Sequence, residues 1–502
     1  MCRFIITDNS VLEEILFKKL EAMNQTSGED HVPVPSVSFE LNGYIRNHDL
    51  FHAAITAIFD KDMISRNVTC RYLLENHNVC TPESSDAEVI RLLLDKKDNV
   101  DNIEIRGQSF LHHAAENGLL DNVILTKATL INVQNDNGLT PFMLAIWHGH
   151  IEVVKVLLEQ TIDVVDVDQK HDTGYTPFHM AAEMGWLDIV KILLTKTKFI
   201  NEQNHNRVTP LMLAIYHGHV EIVKLLVEQM IDVDQKHVEG NTPLHIAAQK
   251  GRLDIVGILL SKAKLINEQN DNGDTPLMLA IGNDHIEVAK VLLRRIDDAN
   301  QKNIYETAPL HLAAEKGWLD ILKTLRTKTE LINEQNSNRF TPLMFAIYHG
   351  HAEVARMLLK WIVEVDQKSV DGNTPLHFAA ANGLLDIVEI LLTKAKLINE
   401  QNKNGETPLM WAIHYGHIEI VDALLKQITN VDPKNIYDNT PLHFAAERGW
   451  FDVVRIILAK AKNINPPNVK GDTPLKAAEE NGHYDVAFLI WANIKPVSVD
   501  VN

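Results

Sequence analysis

The protein has 502 residues, of which 45% are hydrophobic and 23% charged, a composition typical of folded chains and unlike that of disordered or collagen-like ones. Asp and Glu number 67 against 48 Lys and Arg, and the resulting formal net charge of −19 opposes binding to nucleic acid phosphates. Three cysteines are too few for a disulfide framework in so long a chain, so we expect a reducing, cytoplasmic environment. No stretch approaches 18 apolar residues, and we expect no membrane partner.

The first hundred residues carry the weakest pattern. Residues 11–22 place four apolar side chains on one helical face, and a polar, Pro-containing linker follows at 23–38. Residues 50–54 and 87–94 resemble degenerate copies of two segments that recur further along the chain and that we predict to be helices. We interpret residues 1–100 as a diverged N-terminal helical cap; the alternatives are a small separate domain or a partner-binding helix at residues 11–22.

A short motif recurs in the rest of the chain. Thr-Pro followed by Leu or Phe appears repeatedly, and the nine intervals between Pro177 and Pro474 are all 33 residues long. A degenerate copy without the proline occupies Ser109–Ala115. Recurrence at a fixed period of this length indicates stacked structural repeats. We therefore predict twelve repeats over residues 101–492, followed by a short tail at 493–502.

Residues 241–273 form one repeat and illustrate the structure that we predict for every repeat. Pro243 suits the first turn of a helix, because its missing N–H is not needed there. Gly251 ends that helix, and a second one with apolar residues at helical spacing begins near Leu253. The polar segment 267–273 is rich in turn-forming residues and predicts a tight loop or hairpin. Two short helices cannot bury their apolar faces alone, so neighbouring units must stack.

The motif Thr-Pro-Leu-His-x-Ala-Ala at this period resembles the ankyrin repeat, and the resemblance covers residues 101–492. It implies an all-α solenoid of helix–loop–helix units joined by hairpin loops. In such a solenoid the first helices and hairpin tips lie on the concave side and the second helices outside. The resemblance also implies a non-catalytic scaffold that binds a protein partner on the concave face, as a monomer and without a cofactor.

The repeats are irregular in two informative ways. Successive copies alternate between a Met and a His after Thr-Pro-[Leu/Phe], so the true period is about 66 residues. Near the N-terminal end, one interval is shortened to 31 residues and the next is lengthened to 36. We expect a short second helix in the first repeat and a bulged loop around residues 162–167.

The sequence contains none of the familiar catalytic motifs. It has no phosphate-binding Gly-rich loop, no His-Glu-x-x-His and no Gly-x-Ser-x-Gly. Many of its 24 histidines recur at two positions of the repeat, the Thr-Pro-Leu-His position and the inter-helix turn, which indicates a structural role. No carboxylate or thiolate recurs at a spacing that completes a four-ligand site. We therefore expect neither enzymatic activity nor a metal ion.

Candidate binding residues follow from the resemblance, since partners of such proteins contact the hairpin tips and two positions just before the inter-helix turn. Aromatic residues there are of special interest because they dominate binding hot spots. The alternative is that exposed aromatic residues occur on any surface and were copied here by duplication. We expect Trp411 to lie in the core instead. The predicted partner-binding residues are Trp147, His148, Tyr175, Tyr216, His217, Phe340, Tyr348 and Tyr415.

The acidic balance favours a protein partner with a basic patch. The near-identical repeats, rich in Asn, Ile and Lys, look similar to ankyrin proteins of intracellular bacteria with AT-rich genomes, some of which act on host proteins. The resemblance thus implies a host-directed effector. Two alternatives stay open: a toxin or enzyme whose activity lies in residues 1–100 with the repeats as a targeting device, and a purely structural spacer.

Overall fold

The computed structural model describes residues 104–105, 108–120, 123, 131–160, 165–230 and 232–494. The predicted cap at 1–100 lies outside these residues, as does most of the predicted short second helix of the first repeat. Part of the predicted bulged loop, at 161–164, and the tail from 495 onward also lie outside them.

The described residues form one small hairpin and a long series of helices. Strand β1 (Glu104–Ile105) pairs antiparallel with β2 (Gln108–Ser109), so that Glu104 lies opposite Ser109. Twelve helices occupy the first-helix position of successive repeats. They are α1 (Phe110–Glu116), α2 (Pro141–Trp147), α4 (Pro177–Met184), α6 (Pro210–His217), α8 (Pro243–Gln249), α10 (Pro276–Gly282), α12 (Pro309–Glu315), α14 (Pro342–Tyr348), α16 (Pro375–Ala381), α18 (Pro408–Tyr415), α20 (Pro441–Glu447) and α22 (Pro474–Glu480).

A second helix follows each first helix from α2 onward, which confirms the predicted helix–loop–helix unit. The second helices begin three or four residues after the first helices end. They are α3 (Ile151–Gln160), α5 (Leu187–Leu194), α7 (Val220–Gln229), α9 (Leu253–Leu259), α11 (Ile286–Leu293), α13 (Leu319–Leu325), α15 (Ala352–Trp361), α17 (Leu385–Lys394), α19 (Ile418–Gln427), α21 (Phe451–Leu458) and α23 (Tyr484–Ile494).

The described chain divides after Met230 into two compact units. Within each unit, every first helix packs on the next first helix and every second helix on the next second helix. Alanines such as Ala247 and Ala248 are fully buried at these contacts, where small side chains let the helix backbones approach closely. Each unit is therefore a stack of helical repeats with an almost strand-free core, which confirms the all-α fold.

The Thr-Pro motif begins each first helix by a recurring mechanism. Thr140 has extended backbone angles, and its hydroxyl accepts a hydrogen bond from the Met143 N–H at 3.2 Å. This bond satisfies one of the N–H groups that a helix start leaves unpaired. Pro141 occupies the first turn, so the motif defines the position where each helix begins.

In the alternating repeats, a buried histidine ties the helix start to the following loop. The backbone N–H of Thr176 donates to Nδ1 of His179 at 3.2 Å, and Nε2 of the same ring donates to the Val208 carbonyl at 3.0 Å. The ring must therefore be neutral with its proton on Nε2. Burial is the main cause that lowers the pKa of His179 to about 4. The same pattern recurs at His112, His245, His311, His377 and His443.

A second class of histidines connects each inter-helix turn to the preceding repeat. Nε2 of His150 donates to the Glu116 carbonyl at 2.9 Å, close to the end of α1. Equivalent bonds are made by His219, His285, His351, His417 and His483. The hydrogen bonds at both positions confirm the structural interpretation of these histidines.

The loops between repeats are closed by asparagine side chains. Oδ1 of Asn270 accepts hydrogen bonds from the N–H groups of Asn272 and Asp274, while its Nδ2 donates to Oδ1 of Asn241 in the preceding loop at 2.7 Å. We call this series of loop-to-loop contacts the asparagine ladder. Its other rungs with two side-chain partners join Asn303 to Asp274, Asn402 to Asn373 and Asn468 to Asn439.

The predicted hairpins are thus only partly correct. Among the described loops, only the one between β1 and β2 has paired strands. The others are tight turns, in most of which an asparagine side chain accepts hydrogen bonds from the loop backbone, while His171, His237 and Ser369 occupy the same position in the remaining three. These turns lead directly into the starts of the first helices, where the predicted binding residues Tyr175 and Phe340 are found.

Candidate protein-binding site

Four of the predicted aromatic residues stand at the ends of first helices with much of their side chains in solvent. The exposed fractions are 41% for Trp147, 51% for Tyr216, 56% for Tyr348 and 57% for Tyr415. The first helices bury their other face against neighbouring repeats. Packing within the fold therefore does not require the exposed parts of these rings.

A groove in the first unit brings three of the predicted residues together. Its volume is about 450 Å³, and Trp147, His148 and Tyr175 all line it, a size within the usual range of ligand sites. Its walls come from the ends of α1, α2 and α4 and from the two loops that precede α2 and α4. The remaining lining residues are Gln108, Glu116, Asn135, Asn137, Leu139, Leu144, His171, Thr173, Met180 and Glu183.

Tyr175 is held in place at the edge of this groove. Its ring lies 5.4 Å from that of His179, and its hydroxyl hydrogen-bonds with the side chain of Asn204. Burial raises the pKa of Tyr175, and the negative charge of Glu183 acts in the same direction, against the opposing effect of the Asn204 hydrogen bond. The ring is therefore a fixed part of the groove wall and carries its charge-neutral form at neutral pH.

Two carboxylates give the groove its charge. Oε1 of Glu116 lies 3.9 Å from Nε2 of His148, and Oε1 of Glu183 lies 3.8 Å from Nε2 of His217. No lysine or arginine is among the lining residues. His217 and Tyr216 do not line the groove themselves, but the contact with Glu183 places His217 next to it. Glu183 occupies one of the two positions before the inter-helix turn at which the family resemblance predicts partner contacts, whereas Glu116 was not predicted as a binding residue. Only stacking brings the two carboxylates to the same groove.

In the second unit, the predicted residues Phe340, Tyr348 and Tyr415 belong to one continuous series of rings. The ring of Phe340 lies 5.3 Å from that of Phe378, which in turn lies 6.1 Å from Trp411. Tyr348 contacts Phe378 at 5.8 Å, and Tyr415 contacts Trp411 at 6.4 Å. These spacings are those of interacting aromatic pairs. We call these five rings the aromatic strip.

The expectation that Trp411 lies in the core is wrong. Trp411 is half-buried, and its indole N–H donates to Oε2 of Glu406 at 2.9 Å. Its position, the fourth residue of the first helix, lies at the edge of the packed interface. Burial at this position differs between repeats: Leu144 and Phe378 are 4% and 5% exposed, whereas Leu279 and Leu312 are half-buried like Trp411.

Histidines two residues apart at the inter-helix turns, such as His148 and His150, do not converge as two ligands of one metal ion would. The rings of His148 and His150 are stacked with their centroids 6.2 Å apart, and His150 is already bonded to a backbone carbonyl. In the described part of the chain, no three His, Cys, Asp or Glu residues lie close enough together to hold a metal ion.

Within the helices that the structure describes, none combines the length and apolarity needed to cross a bilayer.

The family described as ankyrin repeats (3 copies) matches the chain in six overlapping segments, residues 77–168, 164–237, 231–303, 295–369, 359–435 and 426–500. The matched residues make up most of the chain. The protein belongs to the ankyrin repeat family. Ankyrin repeats generally act as protein–protein interaction modules and are typically non-enzymatic. No curated protein matches the chain closely enough to name a partner.

Proposed function

We propose that this ankyrin repeat protein is a non-catalytic scaffold that binds a partner protein along the face formed by its first helices and loop tips. The observation that supports this most directly is the groove of the first unit, where Trp147 and Tyr175 line a space of about 450 Å³. Aromatic side chains in such a position lose little conformational entropy on binding and bury a large area.

The aromatic strip supports the same proposal for the second unit. Tyr348 and Tyr415 project from it at more than half exposure, and their ring contacts hold them in fixed orientations. A partner that lies along this strip meets an ordered surface, so binding need not order the side chains first. Each unit thus offers its own contact surface.

We further propose that the partner is a protein of a host cell, reached in the cytoplasm. The support is the similarity of the repeats in composition and near-identity to those of ankyrin proteins from intracellular bacteria. The alternative of a toxin or enzyme in residues 1–100 concerns a segment outside the described residues, and no observation in the described part favours it.

The proposal predicts that Trp147→Ala with Tyr216→Ala weakens partner binding without unfolding the protein. Loss of hot-spot aromatic residues lowers affinity by about tenfold or more. The measurement is a quantitative pull-down with the full chain from host-cell extract, followed by the dissociation constant of the purified partner. Because both side chains are half exposed, thermal unfolding should shift by only a few degrees.

A matched control replaces exposed aromatic residues on second helices, Phe451→Ala with Tyr484→Ala, whose exposed fractions are 40% and 74%. This variant should bind like the unaltered protein. If the control weakens binding and the first variant does not, the proposed face is wrong. A large loss of stability in the first variant would show that Trp147 and Tyr216 serve packing.

A further inference from the structure

The groove of the first unit carries uncompensated negative charge. Glu116 and Glu183 line it, and in the described structure the side chains that approach their carboxylates as ion-pair partners are those of histidines, at 3.8 to 3.9 Å, and not of lysine or arginine. Other glutamates of this unit have lysine partners: Glu152 pairs with Lys155 at 2.7 Å, and Glu202 with Lys170 at 2.5 Å. Among the described residues, the two groove carboxylates lack a lysine or arginine partner of the kind that Glu152 and Glu202 have.

The groove also contains an open rung of the asparagine ladder. Gln108 precedes the first-helix motif of its repeat, as Asn241 and Asn373 do in theirs, and Asn135 occupies the position of Asn270 and Asn402. In those later repeats the equivalent side chains hydrogen-bond to each other. Here Oε1 of Gln108 and Nδ2 of Asn135 have no partner in the described structure.

This open rung leaves a buried polar group unsatisfied at the groove. Asn135 is only 7% exposed and lines the groove, and a buried amide donor without a partner lowers the stability of the fold. An unpaired acceptor and an unpaired donor on two residues that line one groove match the N–H and the C=O that the backbone of an extended chain supplies. The polar atoms of the groove thus complement a polypeptide backbone.

The aromatic walls complement a long, positively charged side chain. Trp147 and Tyr175 provide ring faces, which attract a cation and cover the aliphatic stem of lysine or arginine. Phosphate groups of nucleic acids and lipids are disfavoured by the same two carboxylates. The charges, the rings and the open rung together fit one class of occupant.

We propose that this groove binds an extended segment of a partner protein that carries a lysine or arginine. The cationic group lies between Glu116 and Glu183, its stem lies against Trp147 and Tyr175, and a backbone peptide group pairs with Gln108 and Asn135. This inference rests on the proposed function and adds the chemistry of the ligand to it.

The experiment selects ligands from a random 12-residue peptide library displayed on phage, with the full chain as bait. Recovered peptides are synthesised, and their affinities are measured for the unaltered protein and for Glu116→Gln with Glu183→Gln. We expect a recurrent lysine or arginine among the peptides, and a loss of about tenfold or more in affinity for the double variant. We also expect binding to weaken as salt is raised.

A matched control separates the local effect from the change in net charge. Glu152→Gln with Glu221→Gln removes the same charge from exposed positions near the starts of the second helices α3 and α7, and this variant should bind the peptides as the unaltered protein does. If both double variants lose affinity equally, general attraction to an acidic surface explains the result and the inference is wrong.

Trp147→Ala distinguishes failure of the inference from failure of the proposed function. Peptides that lose affinity for Trp147→Ala but carry no recurrent basic residue, and that bind the glutamine variant normally, would overturn the ligand chemistry and leave the binding face in place. If no recovered peptide depends on Trp147, Glu116 or Glu183, the groove is not a binding site, and both proposals fail for this unit.

Discussion

Replacing His245 with methionine should make the stability of the protein less sensitive to acid. His245 is fully buried, and burial is the main cause that lowers its pKa from 6.5 to about 4. Its Nδ1 accepts from the Thr242 N–H at 3.2 Å and its Nε2 donates to the Asp274 carbonyl at 3.1 Å, so the fold requires the neutral ring. The stability that this ring contributes is therefore fully present above pH 6.5 and is lost as the pH falls towards 4.

The size of the effect follows from the two pKa values. At pH 5 the unfolded chain carries a proton on this ring and the folded protein almost none, which lowers the free energy of unfolding by about 2 kcal/mol relative to pH 7. Methionine does not titrate, and it fills the same position in the next repeat, where Met278 is 1% exposed. At pH 7 the variant loses the ring hydrogen bonds, at a cost of about 1–3 kcal/mol. That deficit should shrink by about 2 kcal/mol at pH 5.

Urea unfolding followed by circular dichroism at pH 7, 6 and 5 measures the difference, and hydrogen exchange of the α8 amides reports it locally. The other buried histidines are common to both proteins, so their contributions cancel. Met278→Leu, a substitution of similar volume without a titrating group, should show the same difference from the unaltered protein at every pH. An equal deficit of His245→Met at pH 7 and pH 5 would refute the reasoning.

Two further substitutions test the loops. Arg207 has a φ of 58°, a left-handed conformation that costs a residue with a side chain about 1 kcal/mol. Arg207→Gly should therefore raise the urea concentration at the midpoint of unfolding. Gly240 has a φ of 75° at the equivalent position of the next loop, and Gly240→Ala should lower that midpoint. Asn303→Asp replaces the amide that donates to Asp274 with a second carboxylate, and it should lower the free energy of unfolding by about 2 kcal/mol at neutral pH. The loss should be smaller in acid, where a carboxylate becomes protonated. Asn272→Asp, at an exposed loop tip, is the control and should change the midpoint little.

The sequence was sufficient to predict the helices because their signals are local. Thr140 and Pro141 start a helix through their own hydroxyl and ring geometry, and the 33-residue period places the same start in later repeats. The structural role of His179 was also predictable from its place in the motif. In these cases every group that matters is either within a few residues or at a fixed number of residues along the chain.

The loops and the groove were less predictable because they depend on contacts between repeats. The recurring asparagine of the loops was visible in the sequence. The sequence did not show that hydrogen bonds of this side chain, and not paired strands, close the loops. Trp411 was misplaced because the fourth position of the first helix is buried in some repeats and half-buried in others, so the motif alone does not show how much of the ring is covered. Glu116 and Glu183 come from different repeats, and only the stacking of α1, α2 and α4 makes them line one space.

The asparagine ladder and the histidine bonds use the same sequence separations at successive junctions, 29 residues for Asn303 with Asp274 and 36 for His417 with Ala381. Asn303-Ile304-Tyr305 recurs 132 residues later as Asn435-Ile436-Tyr437. Excision of residues 304–435 by recombination would join Asn303 to Ile436 and recreate the original local sequence at the join. The number of repeats can therefore change by blocks of four while the contacts between neighbouring repeats stay of the existing kind. A single recombination event is enough to change the length of the protein in this way.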